Sequence, residues 1–213
     1  KIANISKDNS VSMMNPLSND MAYLRTSLLP GLVKAADFNI KNSSNSFKLY
    51  ELGNVHTKSS NKIEDIKENL VLSGIVVGNE NSENVHSEIT AYNLFSIKGY
   101  VSALLDKKLK LKVSLEKCEN TIFNEAHHII VNKSIIGTLG ILSDELFGVL
   151  KIDKHHIYGF DLDIEKILLH RKTTKYTSIN PYPKITRRVN FVFDRSDSVG
   201  PILELMVKKS GKI

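Results

Sequence analysis

Cysteine is almost absent from this 213-residue sequence: Cys118 stands alone, so no disulfide can form within the chain and a reducing compartment suits it. No apolar run approaches the ~20 residues that a membrane span needs. The first residues, KIANISKDNSVSMM, have neither the basic start nor the apolar core of a secretory signal. The expectation is therefore a cytoplasmic protein with no membrane partner. Arginine is also scarce, with Arg25 alone in the first 170 residues. What is present is typical of a folded domain, 41% hydrophobic and 24% charged. A chain of this size can bury roughly 70% of its unfolded surface, enough for a core without metals or disulfides.

The net charge of +6 is concentrated at one end. Residues 171–213 hold ten basic side chains against three acidic ones, while the other 170 residues hold 19 against 20. Such asymmetry suits either a polyanionic partner for that end or a solvated basic tail.

Hydrophobic periodicity marks the elements. Leu28, Leu29, Leu32, Val33 and Ala36 share one helical face over residues 27–39, with Pro30 tolerable in a first turn. Residues 47–56 read as a strand broken by Gly53, and a polar linker over 57–69 leads to a buried β-branched strand at 70–77. After a polar loop at 79–90, Ile97, Tyr100, Val101, Leu104 and Leu105 repeat at helical spacing. Alternation predicts a strand over 111–118, and Asn132-Lys133 a hairpin between strands at 128–131 and 135–142. Ser143 can cap a helix running to Leu150, ahead of a strand at 157–162 and a short helix at 165–170. This order predicts an α+β fold, a mainly antiparallel sheet with flanking helices, rather than repeated βαβ units.

A boundary is expected after residue 170. Residues 171–183 are polar and end in Pro181-Tyr182-Pro183, as a linker would. Val189, Phe191 and Phe193 then alternate as a strand, and Ser198 opens a helix stopped by Gly211. One strand and one helix cannot close a core, so 184–213 is expected to be an incomplete second domain.

The ordered segments resemble one family. NPLSNDMAYLRTSLLPGLV (15–33), KLYELGNVH (48–56), FSIKGYVSALL (95–105), VNKSIIGTLGILSDELFGVLKI (131–152) and INPYPKITRRVNFVFD (179–194) are similar, in order, to motifs of the bacterial-type phenylalanyl-tRNA synthetase β subunit. Ser143-Asp144 replaces a frequent His-Pro and Asn190 a frequent Asp, without disturbing the apolar positions. The resemblance implies a fragment of the C-terminal half: a class II synthetase-like core over 1–170, then the start of a ferredoxin-fold anticodon-binding domain. It implies docking on the α subunit in an α2β2 heterotetramer, with ATP and magnesium used by the holoenzyme. It also implies tRNA contact at the basic end, with Lys184, Arg187, Arg188 and Arg195 as candidates.

The same family's chemistry argues against an active site here. ATP is best gripped by planar bidentate arginines, one from the hairpin and one from a helix after a Gly-rich strand. Arg25 cannot fill both roles, Lys48 near the hairpin position is only a point charge, and the helix after Gly137 and Gly140 has no basic residue before Lys151. The expectation is a catalytically silent piece that binds no cofactor. A stand-alone RNA-binding protein built from the same domains is the alternative.

Other candidates are weaker. His127-His128 and His155-His156 lack metal-site spacing, because neighbours on a strand point to opposite faces. Cys118 reads as a plain strand residue, Gly137 and Gly140 as hairpin glycines, and Arg25 as a brace for the turn before the first helix.

Overall fold

Leu28, Leu29, Leu32, Val33 and Ala36 are all buried, so the first apolar stripe is the core-facing side of helix α1 (Leu29–Lys41). Pro30 sits in its first turn, where a missing N–H costs nothing. The computed structural model describes residues 10–18, 22–59, 65–81, 88–151, 153, 155–171, 176, 183, 188–194 and 199–210. The chain divides into two compact units, Lys1–Thr173 and Thr174–Ile213.

In the first unit, α1 is followed by β1 (Phe47–Lys58), β2 (Ile66–Val77) and helix α2 (Leu94–Ser102). Then come β3 (Ser114–Cys118), β4 (Phe123–Val131), β5 (Ser134–Leu142), α3 (Asp144–Leu150), β6 (Ile157–Asp163) and α4 (Ile164–Leu169). The strands form one six-stranded sheet in the order β1-β2-β6-β5-β4-β3, with every neighbouring pair antiparallel.

Helices cover both faces of this sheet. On one, α1 and α3 pack Leu29, Val33, Leu146 and Phe147 against Ile75, Val77, Phe123, Ala126 and Leu142. On the other, α2 and α4 bring Ile97, Val101 and Ile167 against Val76, Ile129, Leu139 and Leu162. Residues 75–77 of β2 are thus buried from both sides, which is why that segment is continuously apolar rather than alternating.

Three expectations change. Gly53 does not break β1, which runs unbroken past it and pairs with β2 throughout. The polar linker shrinks because Lys58 still pairs with Ile66; the outer ends of this hairpin are solvated, so their side chains carry no apolar signal. The strand expected from 111 begins only at Ser114. Helix α2 passes into a π-helical turn (Ala103–Lys108), and the Leu111 N–H is spent on the Leu105 carbonyl, 2.9 Å away.

Local signals hold elsewhere. Asn132 and Lys133 adopt φ of 48° and 67°, the left-handed pair of a two-residue hairpin. Asn93 caps α2 by accepting from the Phe95 and Ser96 N–H groups, and Ser96 Oγ accepts from the Asn93 N–H in return.

Ser143 is buried; its Oγ accepts from the Leu146 N–H at 3.3 Å and donates to the Thr121 carbonyl at 2.8 Å. Ser143→Ala strands both partners and is expected to cost about 2 kcal/mol, read as a lower urea midpoint.

In the second unit, helix α5 spans Val199–Ser210. The strand expected at Val189–Phe193 is not present: residues 188–194 are exposed and lie in no strand. A strand exists only through a ladder, and no second strand lies among this unit's described residues. The expected cap at Ser198 and stop at Gly211 lie outside the described residues, as does most of the 171–183 linker.

Candidate functional site

Residues directly opposite on paired strands share a face of the sheet. Following the register across all six strands gives one row: Glu51, Ser73, Asp161, Thr138, His128 and Glu116. Every member is polar. The next row on the same face is Leu49, Ile75, Gly159, Gly140, Ala126 and Cys118, which belongs to the core under α1 and α3. The face carrying those helices therefore changes from apolar to polar within one row.

Asp161 is its most constrained member. Ser73, fully buried, donates its hydroxyl to Asp161 Oδ1 at 2.5 Å. Burial raises the Asp161 pKa above the ordinary aspartate value; the Ser73 hydrogen bond works against this, and the negative charge of Asp163 adds to it. The folded chain thus holds the Asp161 proton to higher pH than the unfolded chain does. Its stabilising contribution is full below the ordinary value and is lost as pH rises through the raised one. Asp161→Asn is expected to flatten that slope and to match or exceed the parent at neutral pH. Urea midpoints over about pH 4 to 7 check this; an unchanged slope in the variant contradicts it.

Arg25 stands at the β1 edge of this face. Its Nη1 pairs with Glu51 Oε1 at 2.5 Å, its Nε donates to the Asn54 carbonyl at 2.9 Å, and its own carbonyl accepts from the His56 N–H at 2.8 Å. The guanidinium lies over Gly53, in space a Cβ would occupy. Gly53 is therefore a close-approach glycine rather than a strand break, and Arg25 braces the segment before α1 against β1.

Lys48 is on the other face, opposite the core residue Val76. Its Nζ lies 4.5 Å from the Tyr100 ring centroid and 5.8 Å from that of Tyr92. The hydrogen bond to Tyr100 raises its pKa. A second strand-to-helix passage, β6 into α4, carries Lys166, which the sequence reading passed over. Lys166 Nζ lies 3.5 Å from Asp163 Oδ2.

This set of groups does not fit ATP. A triphosphate needs free, convergent cations, whereas Arg25 and Lys166 are each tied to a carboxylate and Asp161 and Glu116 add negative charge. Asp163 is engaged on both oxygens, since Oδ1 caps α4 through the Lys166 N–H at 3.0 Å.

The remaining candidates have structural surroundings. His128 shares the polar row, while His127 faces the opposite side beside Leu139. His155 lies edge-on to Phe147, with centroids 6.4 Å apart, and its Nε2 is 3.9 Å from Asp37 Oδ1. Among the described residues, no three His, Cys, Asp or Glu side chains are grouped to hold a metal ion. Burial pushes the Cys118 thiol up, opposing the thiolate a nucleophile requires; a His128 backbone hydrogen bond offsets this in part. Added Cβ atoms at Gly137 and Gly140 would strike the Asp161 and Glu125 carbonyl oxygens, so both glycines serve strand approach. Of the basic candidates, Arg188 is exposed and outside any helix or strand; Lys184, Arg187 and Arg195 lie outside the described residues.

The family described as the phenylalanyl tRNA synthetase beta chain CLM domain matches residues 2–164. The chain belongs to this family. Among its relatives, the phenylalanine–tRNA ligase beta subunit of Fusobacterium nucleatum is 30% identical over 210 residues, covering 95% of this chain and 26% of that protein. The Bacillus subtilis beta subunit is 29% identical over 213 residues, covering 97% and 26%. The chain thus spans about a quarter of the length of these beta subunits. Among solved structures, a pyrrolysyl tRNA synthetase from Desulfitobacterium hafniense aligns with a TM-score of 0.57 at 13% identity, covering 79% of this chain and 55% of that one. This likeness concerns the fold: the α+β, class II synthetase-like sheet with flanking helices expected from the sequence is the one observed. No helix among the described residues is long and apolar enough to cross a membrane.

Proposed function

We propose that the chain is a scaffold segment of a phenylalanine–tRNA ligase β subunit, which docks on the α subunit and helps to place tRNA without an active site of its own. Membership of the β-chain family supports the assignment to the ligase. The observation that carries the silent part is Arg25, the one arginine of the first 170 residues, closed onto Glu51 and the Asn54 carbonyl. In this reading residues 1–170 are the class II-like core domain, 171–183 a linker, and 184–213 the start of a ferredoxin-fold anticodon-binding domain. ATP and magnesium belong to the α subunit of a cytoplasmic α2β2 enzyme. Lys184, Arg187, Arg188 and Arg195 contact tRNA phosphates.

Two measurements test this. The chain should retain a bacterial phenylalanine–tRNA ligase α subunit through affinity purification, and failure to do so contradicts docking. Arg188→Ala in the whole β subunit should weaken tRNA binding and lower the salt slope by about 1. An unchanged slope removes Arg188 from the phosphate contacts.

A further inference from the structure

A cleft of ≈ 280 Å³ opens beside Asp161 in the first unit. Its walls are mixed: Val71, Ile122 and Ile135 supply apolar surface, and Asn120, Thr138, Asp161, Asp163 and Lys166 supply polar groups.

The polar groups are not equivalent. Asp163 has both oxygens engaged by Lys166, one through its backbone N–H and one through its ammonium. Among the described residues, Asp161 accepts from the neutral Ser73 hydroxyl and no cationic side chain pairs with it. When ionised it is a largely desolvated carboxylate with no cation paired to it, in a cleft whose one lysine, Lys166, is engaged by Asp163. A buried charge of that kind is costly unless a cation joins it.

We propose that this cleft binds a small primary ammonium compound, its charge on the Asp161 carboxylate and its apolar tail against Ile122 and Ile135. An anion is excluded by Asp161 and Asp163. A hard divalent cation needs several oxygen ligands, and here Asp163 is already engaged by Lys166, whose ammonium would repel a second cation beside it. At about 30 Å³ per water, the volume admits a molecule of roughly ten non-hydrogen atoms. The proposal concerns the cleft of this sheet and stands independently of the role in a ligase.

The test is a titration of the isotope-labelled 213-residue chain with 2-phenylethylammonium, followed by amide NMR, with 2-phenylethanol as the uncharged control and magnesium chloride as the metal probe. Saturable shifts at Ile122, Gly137 and Thr138 are expected with the amine alone. Asp161→Asn should weaken binding about tenfold or more through loss of a charge-assisted contact. Ile122→Lys, which places a tethered ammonium at the cleft wall and leaves Asp161 intact, should abolish it, and carries the test if the first variant does not fold. Absence of saturable shifts, equal binding of the alcohol, shifts with magnesium alone, or full affinity in the folded variants overturns the proposal.

Discussion

Gly140→Val is expected to destabilise the first unit by about 3 kcal/mol or more, as overpacking against backbone does. Gly140 pairs with Gly159 on one side and Ala126 on the other, where the β4 register shifts between Phe123 and Glu125. That irregularity folds β4 over Gly140, so a side chain there would meet the Glu125 carbonyl oxygen and, at 3.1 Å, the Phe123 Cβ. Neither can yield without opening the β4–β5 pairing. Gly99→Ala is the counter-case: it lies in α2 with nothing within 4 Å of an added Cβ. It should gain about 0.5–1 kcal/mol from helix propensity. Urea unfolding of the two variants should move the midpoint in opposite directions.

The second large effect is expected from Phe147→Ala, at about 3–5 kcal/mol. Phe147 is 1% exposed, the largest of the fully buried side chains, and sits where α3 meets the sheet and α1. Its removal leaves a cavity bounded by three elements, which cannot all close in. Since domains of this kind are stable by about 5–15 kcal/mol, the loss is a large share of the total. The measurement is again the urea midpoint. A change below about 1 kcal/mol would mean that α3 is not part of the cooperative core.

Much of this architecture was legible because its signals are local. The helical face of α1, the Asn132-Lys133 turn, the Ser143 cap and the apolar run of β2 each lie within a few residues of their cause. The misreadings involve partners that sequence does not align. Gly53 looked like a strand break because Arg25, the side chain that fills its space, is remote in sequence. The π-helical turn took the Leu111 N–H out of the strand that alternation predicted. Val189, Phe191 and Phe193 alternate, yet a period of two does not supply a neighbouring strand.

The polar row was hidden for the same reason. Ser73 and Asp161 are 88 residues apart; Ser73 interrupts the apolar run of β2, and Asp161 sits between Phe160 and Leu162 in β6. Those two interruptions were the available signal. Only the β2–β6 register shows that they face each other. The scarcity of arginine was legible, but its consequence came from geometry: Arg25 spends its charge on Glu51. The basic candidates of the second unit, Arg188 apart, lie outside the described residues; the charge excess of 171–213 and the family resemblance point to them.

The central claim is that this synthetase-like sheet supports chemistry performed by another chain. Phenylalanine-dependent ATP–pyrophosphate exchange tests it most directly, measured with the purified chain alone and again after adding the α subunit. No exchange and no saturable Mg·ATP binding are expected of the chain alone, with exchange appearing only with the α subunit. Saturable, phenylalanine-dependent exchange by the chain alone would contradict it.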